Sequence, residues 1–167
     1  MKNIVLTGFM GTGKTTVGQL LAEKLGFTFI DTDALIEARD GRPITDIFAQ
    51  SGVAAFRQME TAVALELAGR TNLVISTGGR LMLDPVNAAA LTKNGRVFCL
   101  TAAPKEILRR VEETSKRPLL NVPNPATRIQ SLLAQREAAY GRFTQIQTDG
   151  KTAVQVAEEI ISWVSTK

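Results

Sequence analysis

One short motif constrains the fold of this chain more than any other feature of its sequence. It reads Gly8-Phe9-Met10-Gly11-Thr12-Gly13-Lys14-Thr15 and fits the pattern G-x-x-x-x-G-K-[ST] of a phosphate-binding loop. An apolar run precedes it and helical spacing follows it, as such a loop requires. Glycines are needed because backbone N–H groups must approach a polyphosphate without side chains in the way. We therefore expect a nucleoside triphosphate to bind through Gly11, Thr12, Gly13, Lys14, Thr15 and Thr16.

Two side chains of the loop carry more specific expectations. Lys14 would reach the β- and γ-phosphates, and the Thr15 hydroxyl would ligate Mg²⁺. The N-terminus of the following helix adds a dipole that favours a phosphate. The alternative is a glycine-rich turn that exposes a lysine.

Short apolar runs alternate with helical patterns along the chain, and no internal repeat is present. The runs predicted as strands are Lys2–Thr7, Phe27–Asp31, Leu73–Ser76, Val97–Thr101 and Phe143–Thr148. Helices are predicted at about Thr15–Leu25, from Asp33 to near Gly41, from Pro43 to before Gly52, and at Val53–Ala68, Pro85–Lys93, Pro104–Glu113, Ala126–Arg142 and Thr152–Ser165. This order favours an α/β fold with a parallel sheet covered on both faces. At 167 residues we expect a single domain, 1–167.

The composition excludes several kinds of chemistry. With no histidine and one cysteine, Cys99, the chain has no histidine base, no serine–histidine triad and no cysteine-cluster metal site. The 20 Lys and Arg against 16 Asp and Glu give a net charge of +4, a mild bias toward anionic ligands. The 5% aromatic content and the absence of a basic run argue against nucleic acid. Without a long apolar run or a leader pattern, we expect a cytoplasmic protein that does not enter membranes, and a monomer as the simplest state.

Two carboxylates follow the second predicted strand. Asp31 and Asp33 lie at its carboxyl end, where α/β sheets bind their ligands. We expect one carboxylate to serve a metal ion and the other to meet an acceptor hydroxyl. The alternative for Asp33 is that it merely caps the next helix.

Basic and glycine residues further along suit a small anionic acceptor. Arg57 and Glu60 are three apart on one predicted helix, so Glu60 can hold Arg57 in a fixed pose, with an exposed ion pair as the alternative. Thr77-Gly78-Gly79 ends the third strand and either turns backbone N–H groups toward a substrate or forms only a tight turn. Arginines flank the proline-containing loop Thr114–Pro125, and Arg136 lies one turn before Tyr140 on the next helix. Such arginines would neutralise the charge that develops in phosphoryl transfer, although scattered surface arginines are common. The arginines that flank the Thr114–Pro125 loop or lie in it are Arg109, Arg110 and Arg117.

The phosphate-binding loop alone does not separate a switch, a motor and a kinase. A GTPase should carry Asn-Lys-x-Asp late in the chain, and the nearest string, Thr92-Lys93-Asn94-Gly95, does not fit. Motor ATPases are generally larger than 167 residues. The size favours a small-molecule or nucleoside-monophosphate kinase.

Taken together, these motifs resemble the shikimate kinase family over essentially the whole chain. The resemblance rests on the phosphate-binding loop, D-T-D at 31–33, F-R-x-x-E at 56–60, the glycine turn, R-P-L-L at 117–120 and R-x-x-x-Y at 136–140. It implies a three-layer P-loop kinase fold, α/β, with a five-stranded parallel sheet of order 2-3-1-4-5, a substrate-binding region at about 32–60 and a lid at about 112–124. It further implies that ATP, with Mg²⁺, phosphorylates the 3-hydroxyl of shikimate in aromatic amino-acid biosynthesis.

The resemblance also implies roles for individual residues. Lys14 and Thr15 would hold phosphates and magnesium, and Asp31 would support the metal through water. Asp33 would bind ring hydroxyls and serve as the base for the attacking one. The carboxylate of the acceptor would be bound by Arg57 and Arg136, with Gly78 and Gly79 as backbone donors. Arg117 would come over the phosphates with the lid, and Arg110 would lie against the adenine. Lys14, Asp33 and Arg117 are thus the expected catalytic residues.

One position departs from the family pattern of three consecutive glycines after the third strand. The third glycine is replaced by Arg80. If that position needs a positive φ or a bare backbone, the arginine should lower stability or affinity; alternatively it adds a cation near the substrate or points away. Two rivals stay open on these grounds: another small kinase such as a gluconate kinase-like enzyme, and a relative that binds nucleotide without turnover.

Overall fold

A computed structural model describes residues 2–114 and 123–166 of the chain. The strands are β1 (Asn3–Gly8), β2 (Thr28–Asp31), β3 (Leu73–Ser76), β4 (Gly95–Thr101) and β5 (Thr144–Gln147). The helices are α1 (Lys14–Leu25), α2 (Thr32–Asp40), α3 (Ile44–Ser51), α4 (Val53–Ala68), α5 (Pro85–Lys93), α6 (Pro104–Thr114), α7 (Pro125–Tyr140) and α8 (Ala153–Ser165). A short 3-10 helix at Leu81–Leu83 joins β3 to α5.

The five strands form one parallel sheet. Its strand order is β2-β3-β1-β4-β5, which confirms the order expected from the resemblance. Strand β1 is central, with Ile4 opposite Val74 of β3 and Arg96 of β4. Because the strands are parallel, their carboxyl ends meet at one edge, and the segments that follow β1, β2 and β3 lie there together.

Alternating side chains of the sheet build two separate cores. In β1, Ile4 and Leu6 pack with α1 and α8 on one face, while Val5 packs with α2 to α5 on the other. Buried strands with apolar residues on both faces are typical of a sheet covered by helices on both sides. The predicted three-layer α/β fold is therefore confirmed.

A third apolar cluster lies beneath the phosphate-binding loop. Phe9, which is 1% exposed, packs there against Ile107 and Val111 of α6 and Ile129 and Leu132 of α7. The loop is thus fixed to the two helices that flank the predicted lid.

Most predicted elements match the structure, with shifts of one or two residues at some ends. The bounds at Val53–Ala68, Leu73–Ser76 and Pro85–Lys93 are confirmed. The 3-10 helix at Leu81–Leu83 was not predicted, because three residues show no periodicity. The predicted lid lies mostly outside the described residues, and so does Arg117.

The capping alternative for Asp33 is wrong. Helix α2 is capped by Asp31, whose Oδ1 accepts a hydrogen bond from the Ala34 N–H at 3.0 Å. Asp31 is both the last residue of β2 and the extended residue before the helix, which leaves Asp33 in the first turn of α2. Asp33 therefore does not provide the cap of this helix.

None of the helices in the described ranges combines the length and apolar character needed to cross a membrane.

Candidate active site

The phosphate-binding loop has the backbone that its glycines were expected to provide. Gly8, Gly11 and Gly13 have φ values of +133°, +74° and +90°, a region that L side chains rarely adopt. A Cβ on Gly8 would lie 2.4 Å from the Leu100 carbonyl oxygen, so this glycine is also required by close packing. The buried Thr12 hydroxyl donates to the Phe9 carbonyl at 2.7 Å and closes the loop. The loop leads directly into the N-terminus of α1, where backbone N–H groups without helical partners suit a polyphosphate.

Lys14 lies across this loop. Its ammonium group donates to the carbonyls of Gly8 at 2.7 Å and Phe9 at 3.0 Å. These bonds hold the charge at the mouth of the loop, where it can bind phosphate oxygens.

The predicted metal ligands lie next to each other. The Thr15 hydroxyl donates to Asp31 Oδ2 at 3.4 Å, although the two residues are 16 apart in sequence. No group of three or more Asp, Glu or Cys side chains suited to a metal occurs within residues 2–114 and 123–166. Magnesium fits the pair nevertheless, because it prefers oxygen ligands and completes its shell with waters and substrate phosphates.

Arg110 bridges the loop to the segment after β5. Its guanidinium donates to the Gly11 carbonyl at 3.1 Å and to the Thr148 hydroxyl at 3.0 Å. Glu106, one turn earlier on α6, accepts from Arg110 Nε at 3.0 Å and orients it. The neighbouring arginines hold the pKa of the Glu106 carboxyl at about 2. A cavity of about 550 Å³ beside Arg110 is also lined by Thr16 and residues 148–151.

A second cavity, of about 670 Å³, brings most of the predicted site residues together. It runs from the phosphate-binding loop to the glycine turn after β3, with helices α3 and α4 on one side. Its lining includes Gly11, Gly13, Lys14, Thr15, Thr16, Asp31, Asp33, Arg57, Glu60, Gly78, Gly79, Arg80, Arg110 and Arg136. Phosphate-binding and acceptor-binding groups therefore face one space. We call the part formed by Asp33, Arg57, Glu60, Arg80 and Arg136 the acceptor end.

Asp33 is held against the glycine turn. A Cβ on Gly78 would lie 2.5 Å from Asp33 Oδ1, so only glycine lets the carboxylate approach so closely. The Gly78 N–H donates to the buried Thr32 hydroxyl at 2.9 Å, which joins the turn to the start of α2. The Gly78 N–H is thus directed to Thr32, and the observed contribution of Gly78 is space for Asp33.

Glu60 fixes Arg57 as predicted. Arg57 Nη1 donates to Glu60 Oε1 at 2.5 Å, and the Glu60 side chain is only 2% exposed while that of Arg57 is 31% exposed. Burial raises the pKa of the Glu60 carboxyl, and the hydrogen bond from Arg57 opposes that rise. Because Glu60 is buried inside the cavity wall, the exposed-pair alternative is wrong. Arg57 is left with donors that can bind an anion.

Arg136 is positioned by helix α7. Its guanidinium lies over the Phe9 ring, 5.0 Å from the ring centroid, in a cation–π contact with the phosphate-binding loop. One turn later, the Tyr140 hydroxyl donates to the Gly79 carbonyl. Burial raises the pKa of Tyr140, with Arg136 opposing the shift. Helix α7 thus connects the loop, the glycine turn and a cation of the acceptor end.

The comparisons with known proteins agree with this geometry. The family model described as Shikimate kinase matches residues 10–165. A shikimate kinase from Caldanaerobacter subterraneus subsp. tengcongensis is 48% identical over 163 residues, which cover 96% of this chain and 95% of that relative. The chain belongs to the shikimate kinase family.

The chain is more similar to a solved shikimate kinase than to a solved gluconokinase with the same fold. A shikimate kinase from Acinetobacter baumannii in complex with shikimate is 38% identical and has a TM-score of 0.92, covering 99% of this chain and 94% of that one. A gluconokinase from Sinorhizobium meliloti 1021, at 18% identity and a TM-score of 0.64, covers 98% of this chain and 91% of that one. The second likeness shows a shared fold alone.

Arg80 is accommodated without backbone strain. Its φ is −111° and its ψ is −4°, so the position does not require glycine in this shikimate kinase family member. The alternative in which this position needs a positive φ is therefore wrong. The side chain faces the acceptor end and does not point away.

Sequence reasoning missed three supporting residues and overestimated one arginine. Thr32 holds Gly78, Phe9 underlies Arg136, and Glu106 orients Arg110. Only the Glu106–Arg110 pair had a local signal, its spacing of four on a helix. Arg109 pairs with Glu106 and Glu113 on the exposed side of α6, which confirms the surface alternative for it.

Proposed function

We propose that this protein is a shikimate kinase, which transfers the γ-phosphoryl group of ATP to the 3-hydroxyl of shikimate and releases ADP and shikimate 3-phosphate. One observation carries the proposal: the phosphate-binding loop shares a cavity of about 670 Å³ with Asp33, Arg57 and Arg136. The shikimate bound in the Acinetobacter baumannii relative supports the choice of acceptor.

The acceptor end suits the chemistry of shikimate, a small polyol with one carboxylate. Arg57 and Arg136 would bind the carboxylate, since guanidinium groups match the geometry of a carboxylate. Their fixed positions, set by Glu60 and by the Phe9 ring, reduce the entropy lost on binding. Asp33 would accept hydrogen bonds from the ring hydroxyls at the other end of the acceptor.

The donor end suits a nucleoside triphosphate. When bound, ATP would supply the phosphoryl group and Mg²⁺ would neutralise part of the charge on its phosphates. Lys14 and the loop N–H groups would bind the phosphates, and Thr15 and Asp31 would hold the metal, Asp31 through water. Arg110 would lie against the adenine while it ties the loop to Thr148.

Asp33 would take the proton of the attacking hydroxyl. As the oxygen of that hydroxyl bonds to the γ-phosphorus, the bond from the phosphorus to the ADP oxygen breaks and the proton passes to the Asp33 carboxylate. Phosphoryl transfer of this kind needs positioning and charge neutralisation more than a strong base, so a chain without histidine is adequate. Arg117, which lies outside the described residues, stays a predicted partner of the transferring phosphate.

We propose that the enzyme acts as a single-domain monomer in the cytoplasm, where ATP is available as the donor. It requires no partner other than its small-molecule substrates.

A substrate panel tests the proposed function. Purified protein would be mixed with Mg-ATP and with shikimate, gluconate, nucleoside monophosphates or no acceptor, and ADP release would be followed. We expect ADP release that depends on shikimate alone. Release with gluconate or a nucleotide, or ATP binding with no acceptor-dependent release, would overturn the proposal.

A further inference from the structure

Arg80 lies where it can bind the acceptor. It follows the glycine turn and precedes the 3-10 helix, and its side chain lines the acceptor end with Arg57 and Arg136. Burial raises the pKa of both the Glu60 carboxyl and the Tyr140 hydroxyl, and the charge of Arg80 opposes that rise at each, which places the guanidinium within electrostatic reach of both. The next two residues, Leu81 and Met82, are fully buried and anchor the turn independently of the arginine.

The charges of the acceptor end depend on this residue. Arg57 and Glu60 form an ion pair and largely cancel each other. Arg136 and Asp33 line the same cavity with opposite charges, so these four groups together are close to neutral. Arg80 makes the acceptor end net positive, which favours a substrate that carries a negative charge.

The side-chain donors of Arg80 have no acceptor among the residues that the structure describes. Its side chain makes no hydrogen bond or ion pair with any residue in the ranges 2–114 and 123–166, whereas Arg57 already donates to Glu60. Its backbone carbonyl accepts from the Leu83 N–H at 3.1 Å, so the main chain is held while the side chain stays available. Carboxylate oxygens offer about four acceptor sites, enough for three arginines.

We propose that Arg80 is a third substrate-binding guanidinium, which binds the acceptor carboxylate together with Arg57 and Arg136 and selects acceptors that carry that charge. The inference rests on the proposed function for the identity of the acceptor. It assigns to this chain a binding group in place of a bare backbone position.

Steady-state kinetics of Arg80→Gln and Arg80→Lys test the proposal, with Arg70→Gln as a matched control. Arg70 is an exposed arginine before β3, at the opposite end of the strand from the site. Loss of one hydrogen bond to a charged group at an exposed position should raise the KM for shikimate about tenfold in Arg80→Gln. We expect Arg80→Lys to recover part of this loss, and the KM for ATP to stay at the wild-type value in all three. Equal shikimate KM values in Arg80→Gln and the control would overturn the proposal.

The dependence of the shikimate KM on ionic strength and on the charge of the substrate would not change if Arg80 had a purely structural role. The shikimate KM of the wild type should rise with ionic strength, and more steeply than that of Arg80→Gln. The methyl ester of shikimate should bind the two proteins equally. If the ester discriminates between them as strongly as shikimate does, Arg80 does not bind the carboxylate.

Calorimetric titration of shikimate separates this proposal from the proposed function. Arg80-dependent binding without turnover would support the role of Arg80 while the kinase function fails. Binding that is equal in wild type and Arg80→Gln, or no binding to either, would overturn the role of Arg80 whatever the turnover.

Discussion

Replacement of Gly78 by alanine should displace the Asp33 carboxylate, the proposed base, while leaving the fold intact. The new Cβ would lie 2.5 Å from Asp33 Oδ1 and 3.1 Å from Oδ2, whereas ordinary contact begins at 3.4 Å. The carboxylate must therefore retreat by about 0.9 Å, and misplacement of a reacting group by about 1 Å can lower the rate about a hundredfold. Gly78 is absent from the positive-φ glycines, so alanine adds no backbone strain. We expect kcat to fall about a hundredfold with little change in the KM for ATP.

Gly79→Ala is the matched control, since it changes the adjacent residue in the same way. Its Cβ would meet only Arg136 Nη1, at 3.5 Å, which is an ordinary contact. We expect its kcat within about threefold of wild type. Coupled measurement of ADP release at saturating shikimate gives kcat for both variants, and thermal unfolding monitors the fold.

A double variant identifies Asp33 as the group that Gly78→Ala displaces. If the carboxylate is the obstacle, Asp33→Ala and Asp33→Ala with Gly78→Ala should have the same residual activity, because the second change has nothing left to displace. A wild-type kcat in Gly78→Ala, or additive losses in the double variant, would refute the reasoning.

Three further predictions concern Glu60, two glycines and Cys99. Glu60→Gln should raise the KM for shikimate because Arg57 loses its ionic partner. Burial in the folded state raises the pKa of Glu60, so the charged carboxylate destabilises the wild type at a pH above that pKa. The free energy of unfolding of Glu60→Gln should therefore exceed that of the wild type above that pKa, and the difference should shrink as pH falls through it. Unfolding in urea at several pH values measures this, and a stability difference that does not vary with pH would contradict it. Gly8→Ala should lower the free energy of unfolding by about 3 kcal/mol, because strain at φ +133° adds to a clash with the backbone of Leu100. Gly41→Ala, at φ +84° with open space around it, should lower the free energy of unfolding by only about 1 kcal/mol. Equal losses for the two variants in urea unfolding would be inconsistent with the structure. Burial raises the pKa of Cys99 to about 11, so iodoacetamide at neutral pH should alkylate it only after unfolding, and rapid alkylation of the native protein would show that the thiol is accessible.

Local patterns predicted the fold well wherever one element carried its own signals. The phosphate-binding loop, with a strand before it and a helix after it, fixed the placement of β1 and α1. Helix α4 was predicted with correct bounds because helical spacing runs between Gly52 and Gly69. The 3-10 helix was missed because it has too few residues to show a period. Which aspartate caps α2 depends on the last residue of β2, which sequence locates only within a few residues.

The site was predictable where its contacts are local and not where the fold makes them. The Arg57–Glu60 pair follows from a spacing of three on a helix. The bond from Gly78 to Thr32 joins residues 46 apart, and no local pattern indicates it. The conformation of Arg80 was open for the same reason, since the buried residues that hold its turn belong to the tertiary packing.

Identification of the phosphorylated product tests the central claim most directly. Purified protein with Mg-ATP and shikimate would be followed by ³¹P NMR, with proton coupling to locate the new phosphate on the ring. We expect a phosphomonoester on the 3-hydroxyl that forms in step with ADP. A phosphate on another hydroxyl, or inorganic phosphate in place of an ester, would contradict the assignment of Asp33 and the arginines as the groups that orient shikimate.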